Sequence, residues 1–304
     1  MSSIFIAFPG NRSLAASLAA GCGSAIGDLR WHRFPDGESL VALETNCQGR
    51  DVVFVCTLRD PDCHALPLLF AARTARELGA RSVGLVAPYL AYLRQDANFH
   101  PGEAISSLHF AGFLSWIFDW ISTVDPHLHR HTDLGALFSI PAHRASAMPS
   151  VADWIAKHVP SPVLVGPDSE SAQWVQPVAA RLNAPVVVLS KTRYSDRSVE
   201  VSVPDHALVA TRTPVLVDDI VSSGQTVLET LRALRRADAL PAVCIAVHGV
   251  FADDADRRLL EAGAQKLVTT NSIEHATNAI DLTPVLLPLV RDQLAALQTS
   301  ATSP

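Results

Sequence analysis

The chain has 304 residues, 48% hydrophobic and 18% charged, with a formal net charge of -6. That length suits two globular domains of roughly 100–200 residues each. The acidic balance gives no global attraction to nucleic acid or to anionic membranes, so a polyanionic partner must be small and locally bound.

The start, "MSSIFIAFPGNRS", has no basic leader, and its apolar run reads as a short strand ended by Pro9 and Gly10. "DVVFVCT" reads as a buried strand, "ALPLLFAARTAREL" as a helix and "RSVGLVAP" as the next strand, which together predict a βαβ unit. The periodicity breaks near "SIPAHRASAMPS", taken as the boundary between a first domain over 1–145 and a second over 146–287. "ADWIAKHVPSPVLVGPDSE" then restarts with a helix and a strand. "TPVLVDD", "TVLETLRALRRA" and "AVCIAVHGV" repeat the earlier order of strand, loop, helix and strand. "TPVLLPLVRDQLAALQ" reads as a terminal amphipathic helix, expected over 288–299 after Pro288 and assigned to the first domain. Alternating strands and helices predict an α/β fold with mostly parallel sheets flanked by helices. No apolar run approaches the ~20 residues of a membrane span. The five scattered cysteines, Cys22, Cys47, Cys56, Cys63 and Cys244, show no CxxC spacing. They point to neither a disulfide framework nor a zinc site, and the protein is expected in the cytoplasm.

Ligands of open α/β sheets bind beyond the carboxyl ends of the strands. Four polar clusters fall there: "TLRDPD", "PYLAYLRQD", "VGPDSES" and "DDIVSSGQT". In the last, the amides and hydroxyls of Ser222, Ser223, Gly224, Gln225 and Thr226 lead into a helix, which suits a phosphate monoester. Asp218 and Asp219 just before them can accept hydrogen bonds from ribose hydroxyls. A capped helix, with Ser222 or Ser223 as N-cap, accounts for the serines but not for the carboxylates. Arg94 in "RQD" can stack on a purine and pair with phosphate. In "VDPHLHRH" the alternate His127, His129 and His131 could bind a transition metal if extended.

"VLVDDIVSSGQT" resembles the phosphoribosyl-binding motif of type I phosphoribosyltransferases and of ribose-phosphate pyrophosphokinases. "RFPDGES", "PYLAYLRQD", "TVDPHLH", "GPDSES" and "KTR" occur in the order and approximate spacing of the second family over nearly the whole chain. The resemblance implies two similar phosphoribosyltransferase-type domains and a homo-oligomer. It also implies transfer of the diphosphoryl group of ATP to O1 of ribose 5-phosphate with Mg2+. By the same resemblance Arg94, Gln95, Asp96 and His127 would contact ATP, together with Phe34, Asp36 and Glu38 from a loop reaching a neighbouring subunit. His127 and Asp168 would meet the metal. Asp168, Asp218, Asp219 and residues 222–226 would hold ribose 5-phosphate. Lys191 and Arg193 would be catalytic, and "YSDRSVEVSVP" after them resembles the family's mobile flap, or else is an exposed hairpin.

The chain departs from the commonest family pattern in three places. Gln225 follows Gly224 where a second glycine is usual, Glu170 and Ser171 replace a glycine pair, and "ANFHPGEAISS" lacks the arginines of the commonest bacterial branch. The rival readings are a phosphoribosyltransferase, a catalytically silent regulatory homologue, and a nucleotide-binding module.

Overall fold

A computed structural model describes residues 2–128, 133–167, 171–195 and 198–300. The chain divides into two compact units. One comprises Met1–Ser146, Ser272–Glu274 and Leu282–Pro304, the other Ala147–Asn271 and His275–Asp281.

The first unit runs β1 (Ser3–Ala7), α1 (Arg12–Gly21), β2 (Ala25–Gly27), β3 (Leu29–Arg33), β4 (Ser39–Leu43), β5 (Asp51–Val55), α2 (Pro61–Glu77), β6 (Ser82–Ala87), α3 (Ser106–Ile117), β7 (Trp120–Val124) and β8 (Ala142–Ala145). Its main sheet has the order β2-β1-β5-β6-β7-β8, with every pair parallel. β3 and β4 form an antiparallel hairpin. The continuous apolar character of "DVVFVCT" and "RSVGLVAP" follows from burial, because β5 and β6 are covered along their whole length.

The buried run of β5 opens on a charge. Asp51, 1% exposed, accepts from Arg81 Nε at 2.9 Å and from Ser82 Oγ at 2.7 Å, while Arg81 Nη2 closes a fork on its second oxygen. A carboxylate can be buried here because both of its oxygens are met.

The second unit runs α4 (Met148–His158), β9 (Pro162–Gly166), α5 (Ala172–Leu182), β10 (Val186–Val188), β11 (Ser190–Ser195), β12 (Ser198–Ser202), α6 (His206–Thr211), β13 (Thr213–Val221), α7 (Gln225–Arg236), β14 (Val243–Gly249), α8 (Ala255–Glu261), β15 (Lys266–Thr270) and β16 (Asn278–Ile280). Its sheet order is β10-β9-β13-β14-β15-β16, again parallel throughout. Both sheets therefore place their second strand outside the first and continue on the other side with the third. In both, an antiparallel hairpin, β3–β4 or β11–β12, is inserted after the second strand. The repeat heard in the sequence is a repeat of topology.

α9 (Thr283–Ser300) belongs to the first unit, where it packs on α1, β7 and β8. Arg291 Nε donates to the Gly21 carbonyl at 3.0 Å, and Gly21 is small where the Leu287 side chain lies against it. The helix starts before Pro288 and takes the proline inside; packing on the sheet offsets the backbone bond that proline cannot make. The stretch "SIPAHRASAMPS" also differs from expectation. It is not irregular: β8 lies within it, and α4 starts before it ends. The strand has half-exposed residues at a sheet edge, so it lacks an apolar signature.

All five cysteines are free thiols. Burial pushes the Cys244 thiol up to about 12, which makes it a core side chain rather than a nucleophile. Among the described residues no helix is long and apolar enough to cross a membrane.

Gly84 on β6 is where the first sheet tolerates no side chain, because an added Cβ would sit inside the buried indole of Trp120. Gly84→Ala is expected to lower the unfolding free energy by about 1–3 kcal/mol through overpacking, read as an earlier urea midpoint with an unchanged slope.

Candidate active site

In the second unit the strand order reverses between β9 and β13, the kind of position at which open α/β sheets bind ligands, beyond the carboxyl ends of the strands. β13 is longer than the apolar run suggests. It continues through Asp218 and Asp219 to Val221, pairing Asp218 with Ala246 and Val221 with Gly249 on β14. Each carboxylate folds onto the next amide: Asp218 Oδ1 accepts from the Asp219 amide at 3.0 Å, and Asp219 Oδ1 accepts from the Ile220 amide at 2.8 Å. Asp219 is 6% exposed, and Asp218 is half-buried.

Ser222 to Gly224 then turn the chain into α7. The N-cap is Gly224, in the left-handed region at φ 70° and ψ 10°, with no side-chain cap. The serines are thus not capping groups, and the helix N-terminus keeps donors for an anion. A Cβ at Gly224 would meet Leu259 Cδ1 at 3.3 Å and Ala255 Cβ at 3.5 Å on α8. Conformation and space both call for glycine here. Gln225 is the first helical residue and has no positive φ, so the missing second glycine costs no backbone strain. Its side chain lies along the helix surface and donates to Glu229 Oε1 at 2.9 Å. Ser222 and Thr226 are half-buried, and Ser223 is exposed.

Lys191 and Arg193 lie two residues apart on β11, opposite Val201 and Val199 of β12. The stretch resembling a flap is therefore a β-hairpin, whose residues 196–197 lie outside the described ones. Asp168 and Glu170 also lie outside the described residues, as do His129 and His131. Ser171 is the N-cap of α5 and is 5% exposed.

The first unit has the same strand reversal between β1 and β5, but there the strand ends are bonded to one another. Asn11 Oδ1, beyond β1, accepts from the Thr57 amide at 3.1 Å. Thr57, beyond β5, donates through Oγ1 to the Ser272 carbonyl at 2.5 Å. The Ser272 carbonyl thus closes onto the end of β5 in this unit.

The first unit's polar groups gather instead at β3–β4 and beyond β6 and β7. Phe34 begins the tip of the β3–β4 hairpin. The Phe34 amide donates to the Glu38 carbonyl at 2.8 Å, and the Gly37 amide returns to the Phe34 carbonyl at 2.9 Å. Asp36 Oδ1 accepts from the Glu38 amide at 3.1 Å. The ring does not tuck into the unit: it is 40% exposed, with His32 edge-on at 4.8 Å.

Beyond β6, Tyr92 takes a left-handed conformation at φ 63° and its hydroxyl donates to Asp62 Oδ1. That bond raises the phenol pKa and keeps it protonated. Arg94, two residues on, is exposed, while Asp96 is 8% exposed. Gln95 spends both amide donors inside its loop, on Glu103 Oε2 at 3.1 Å and the Ala97 carbonyl at 3.2 Å. Its carbonyl oxygen is the atom through which it can meet a ligand. Glu103 Oε2 also accepts from the Phe99 and His100 amides at 3.0 Å each. Sequence reasoning missed this anchor; the signal was the turn "PGE" before α3, with Gly102 at φ 88°. His127 is half-buried beyond β7, after Asp125, which is 6% exposed with φ 32°.

Comparison with known proteins matches this division. The family model of the N-terminal domain of ribose phosphate pyrophosphokinase covers residues 4–116, and that of the phosphoribosyl transferase domain covers residues 141–284. The ribose-phosphate pyrophosphokinase of Halobacterium salinarum is 32% identical over 91% of this chain and 96% of its own. The protein of that name from Methanopyrus kandleri is 30% identical over 92% and 95%, and that from Methanothermobacter thermautotrophicus 29% over 93% and 98%. The crystal structure of phosphoribosylpyrophosphate synthetase from Mycobacterium smegmatis superposes with a TM-score of 0.84, covering 97% of this chain and 100% of that one at 23% identity, which establishes the shared fold. With two successive family models and relatives that align along nearly their full length, the chain belongs to the ribose-phosphate pyrophosphokinase family.

Proposed function

We propose that this protein transfers the β,γ-diphosphoryl group of ATP to O1 of ribose 5-phosphate, giving 5-phosphoribosyl 1-diphosphate and AMP. The observation that carries the reading, within this family, is the β13–α7 turn, where two carboxylates precede a glycine-capped helix N-terminus without a side-chain cap. In this reading the loop from Ser222 to Thr226 binds the 5-phosphate through amides and hydroxyls. Asp218 and Asp219 accept from the ribose hydroxyls, with Asp168 alongside, and so orient O1.

Arg94 and the Gln95 carbonyl meet the adenine, Asp96 supports that loop, and His127 donates to the triphosphate. The anomeric oxygen forms a bond to the β-phosphorus as the bond from that phosphorus to the bridging α–β oxygen breaks. The electron pair leaves on AMP, and the hydroxyl proton passes to solvent. Lys191 and Arg193 neutralise the charge that builds on the transferring oxygens.

Among the described residues no group of three or more His, Cys, Asp or Glu side chains gathers as an ion cage. A magnesium ion that arrives on the nucleotide needs only one or two carboxylates from protein, because it completes its shell with phosphates and water. Asp168 would be the carboxylate and His127 a partner of the ion's water shell; bound there, magnesium would lower the charge on the polyphosphate.

The reading extends to a cytoplasmic homo-oligomer with a shared site. Phe34 and the acidic pair Asp36 and Glu38 are presented to solvent at a hairpin tip. Leu66, Phe70 and Trp116 of the same unit are 56%, 41% and 62% exposed. Exposed side chains of this size are suited to contact with a second copy.

Purified protein given ATP, Mg2+ and ribose 5-phosphate is expected to form AMP and phosphoribosyl diphosphate in equal amounts, with AMP appearing only when a pentose 5-phosphate is present. ADP as the main nucleotide product would indicate transfer of one phosphoryl group and end this reading.

The double substitution Asp218→Asn, Asp219→Asn keeps acceptors for the two backbone amides but weakens those offered to the sugar. It should lower kcat/KM for ribose 5-phosphate by about 10–100-fold, the worth of charged over neutral hydrogen bonds, with an unchanged melting temperature.

Phe34→Ala should raise KM for ATP far more than KM for ribose 5-phosphate, whereas Lys191→Ala should act mainly on kcat. Mixing the two variants after subunit exchange should recover activity, because some sites then draw an intact hairpin and an intact lysine from different chains. A fully active monomer in sedimentation would exclude the shared site.

A further inference from the structure

The β13–α7 turn is held from one side. The Val221 carbonyl accepts from the Val250 and Phe251 amides, both at 3.0 Å, and the Ser222 carbonyl accepts from the Ala252 amide at 3.1 Å. The Ser223 carbonyl accepts from Arg258 Nη2 at 2.8 Å. Three consecutive carbonyls therefore face the segment 250–258, which joins β14 to α8 and includes the first turn of that helix.

In a trans peptide the N–H points opposite to the C=O of the preceding residue, so the amides of Ser222, Ser223 and Gly224 point away from this segment. None of the three donates to a backbone carbonyl among the described residues. Successive amides converging on one side form an anion-binding concavity. The segment that imposes this is itself strained: Phe251, Asp253 and Asp254 take φ values of 44°, 53° and 54°, a conformation uncommon for residues with side chains. Ala255 and Leu259, on α8 beside Arg258, supply the contacts that confine Gly224.

Arg258 is the charged member of this clamp. Its Nε is buried and has no partner among the described residues. An unmet guanidinium N–H is costly, and the arginine is nevertheless held with Nη2 on the Ser223 carbonyl. Its positive charge beside the turn favours a dianion on the far side of the Ser223–Gly224 peptide.

We infer that the 250–258 segment orients the phosphate-binding amides, and that Arg258 is a positioning residue for the 5-phosphate of the sugar substrate, acting through the Ser223 carbonyl. The inference rests on the assignment of ribose 5-phosphate to this turn.

Calorimetric titration of the full-length protein with ribose 5-phosphate, alongside steady-state kinetics, tests it. Arg258→Met should weaken binding by about tenfold or more, as expected when a charged hydrogen bond is lost, and raise KM for ribose 5-phosphate to match. KM for ATP should stay within about twofold, the ordinary margin for a site that is not coupled. Arg258→Lys, which keeps the charge and one donor, should recover part of the loss. If Arg258→Met does not fold, the same split between the two KM values is required of Arg258→Lys. Unchanged binding in a folded Arg258→Met would overturn the inference alone. A parallel loss in both KM values and kcat with a lowered melting temperature would do the same, showing a merely structural residue. Wild-type protein that binds no ribose 5-phosphate would remove the assignment of the turn and the inference with it.

Discussion

Parallel strand pairing is the constraint on which both units depend. A parallel sheet must return the chain through a crossover after each strand, and its carboxyl ends then all lie on one edge. Loops as distant in sequence as those after β9 and β13 become neighbours there. The pairing also forces the strands into near-continuous apolar runs, so charged groups collect at strand ends, where they must be met by partners or used. Asp51 at the start of β5 is met, by Arg81 and Ser82. Asp218 and Asp219 near the end of β13 accept from adjacent amides.

The two units answer the same topology differently. Each has the same reversal in strand order, and each inserts a hairpin after its second strand. In the first unit Asn11, Thr57 and Ser272 bond the loops across that position, and the exposed hairpin tip around Phe34 becomes the feature presented to solvent. In the second the loop after β13 is fixed from behind, and among the described residues the Ser222, Ser223 and Gly224 amides meet no backbone carbonyl. A duplicated scaffold can acquire two roles in this way, since the sheet sets where loops converge and only local hydrogen bonding sets whether the convergence is filled.

Glycine placement shows how little freedom the candidate site has. Gly224 is the one residue of "SSGQ" with a left-handed backbone, and it also lies against α8. The neighbouring Gln225 takes ordinary helical geometry, so a loop that looks one glycine short keeps its shape.

The sequence by itself determined the alternation of strands and helices, the two-domain α/β class, and the motifs that mark the strand-end loops, because apolar period and residue type are local properties. It also located the turn of Ser222 to Thr226 from small residues before a helical pattern. Only the tertiary structure decided that β13 runs on to Val221, that Pro288 lies inside α9, and that "SIPAHRASAMPS" contains an edge strand. Pairing and packing partners far along the chain override local preference in each case. The same holds for Arg258 behind Ser223. It meets the site loop through a directed hydrogen bond, and the direction of a side chain across a fold is not written in the residues beside it.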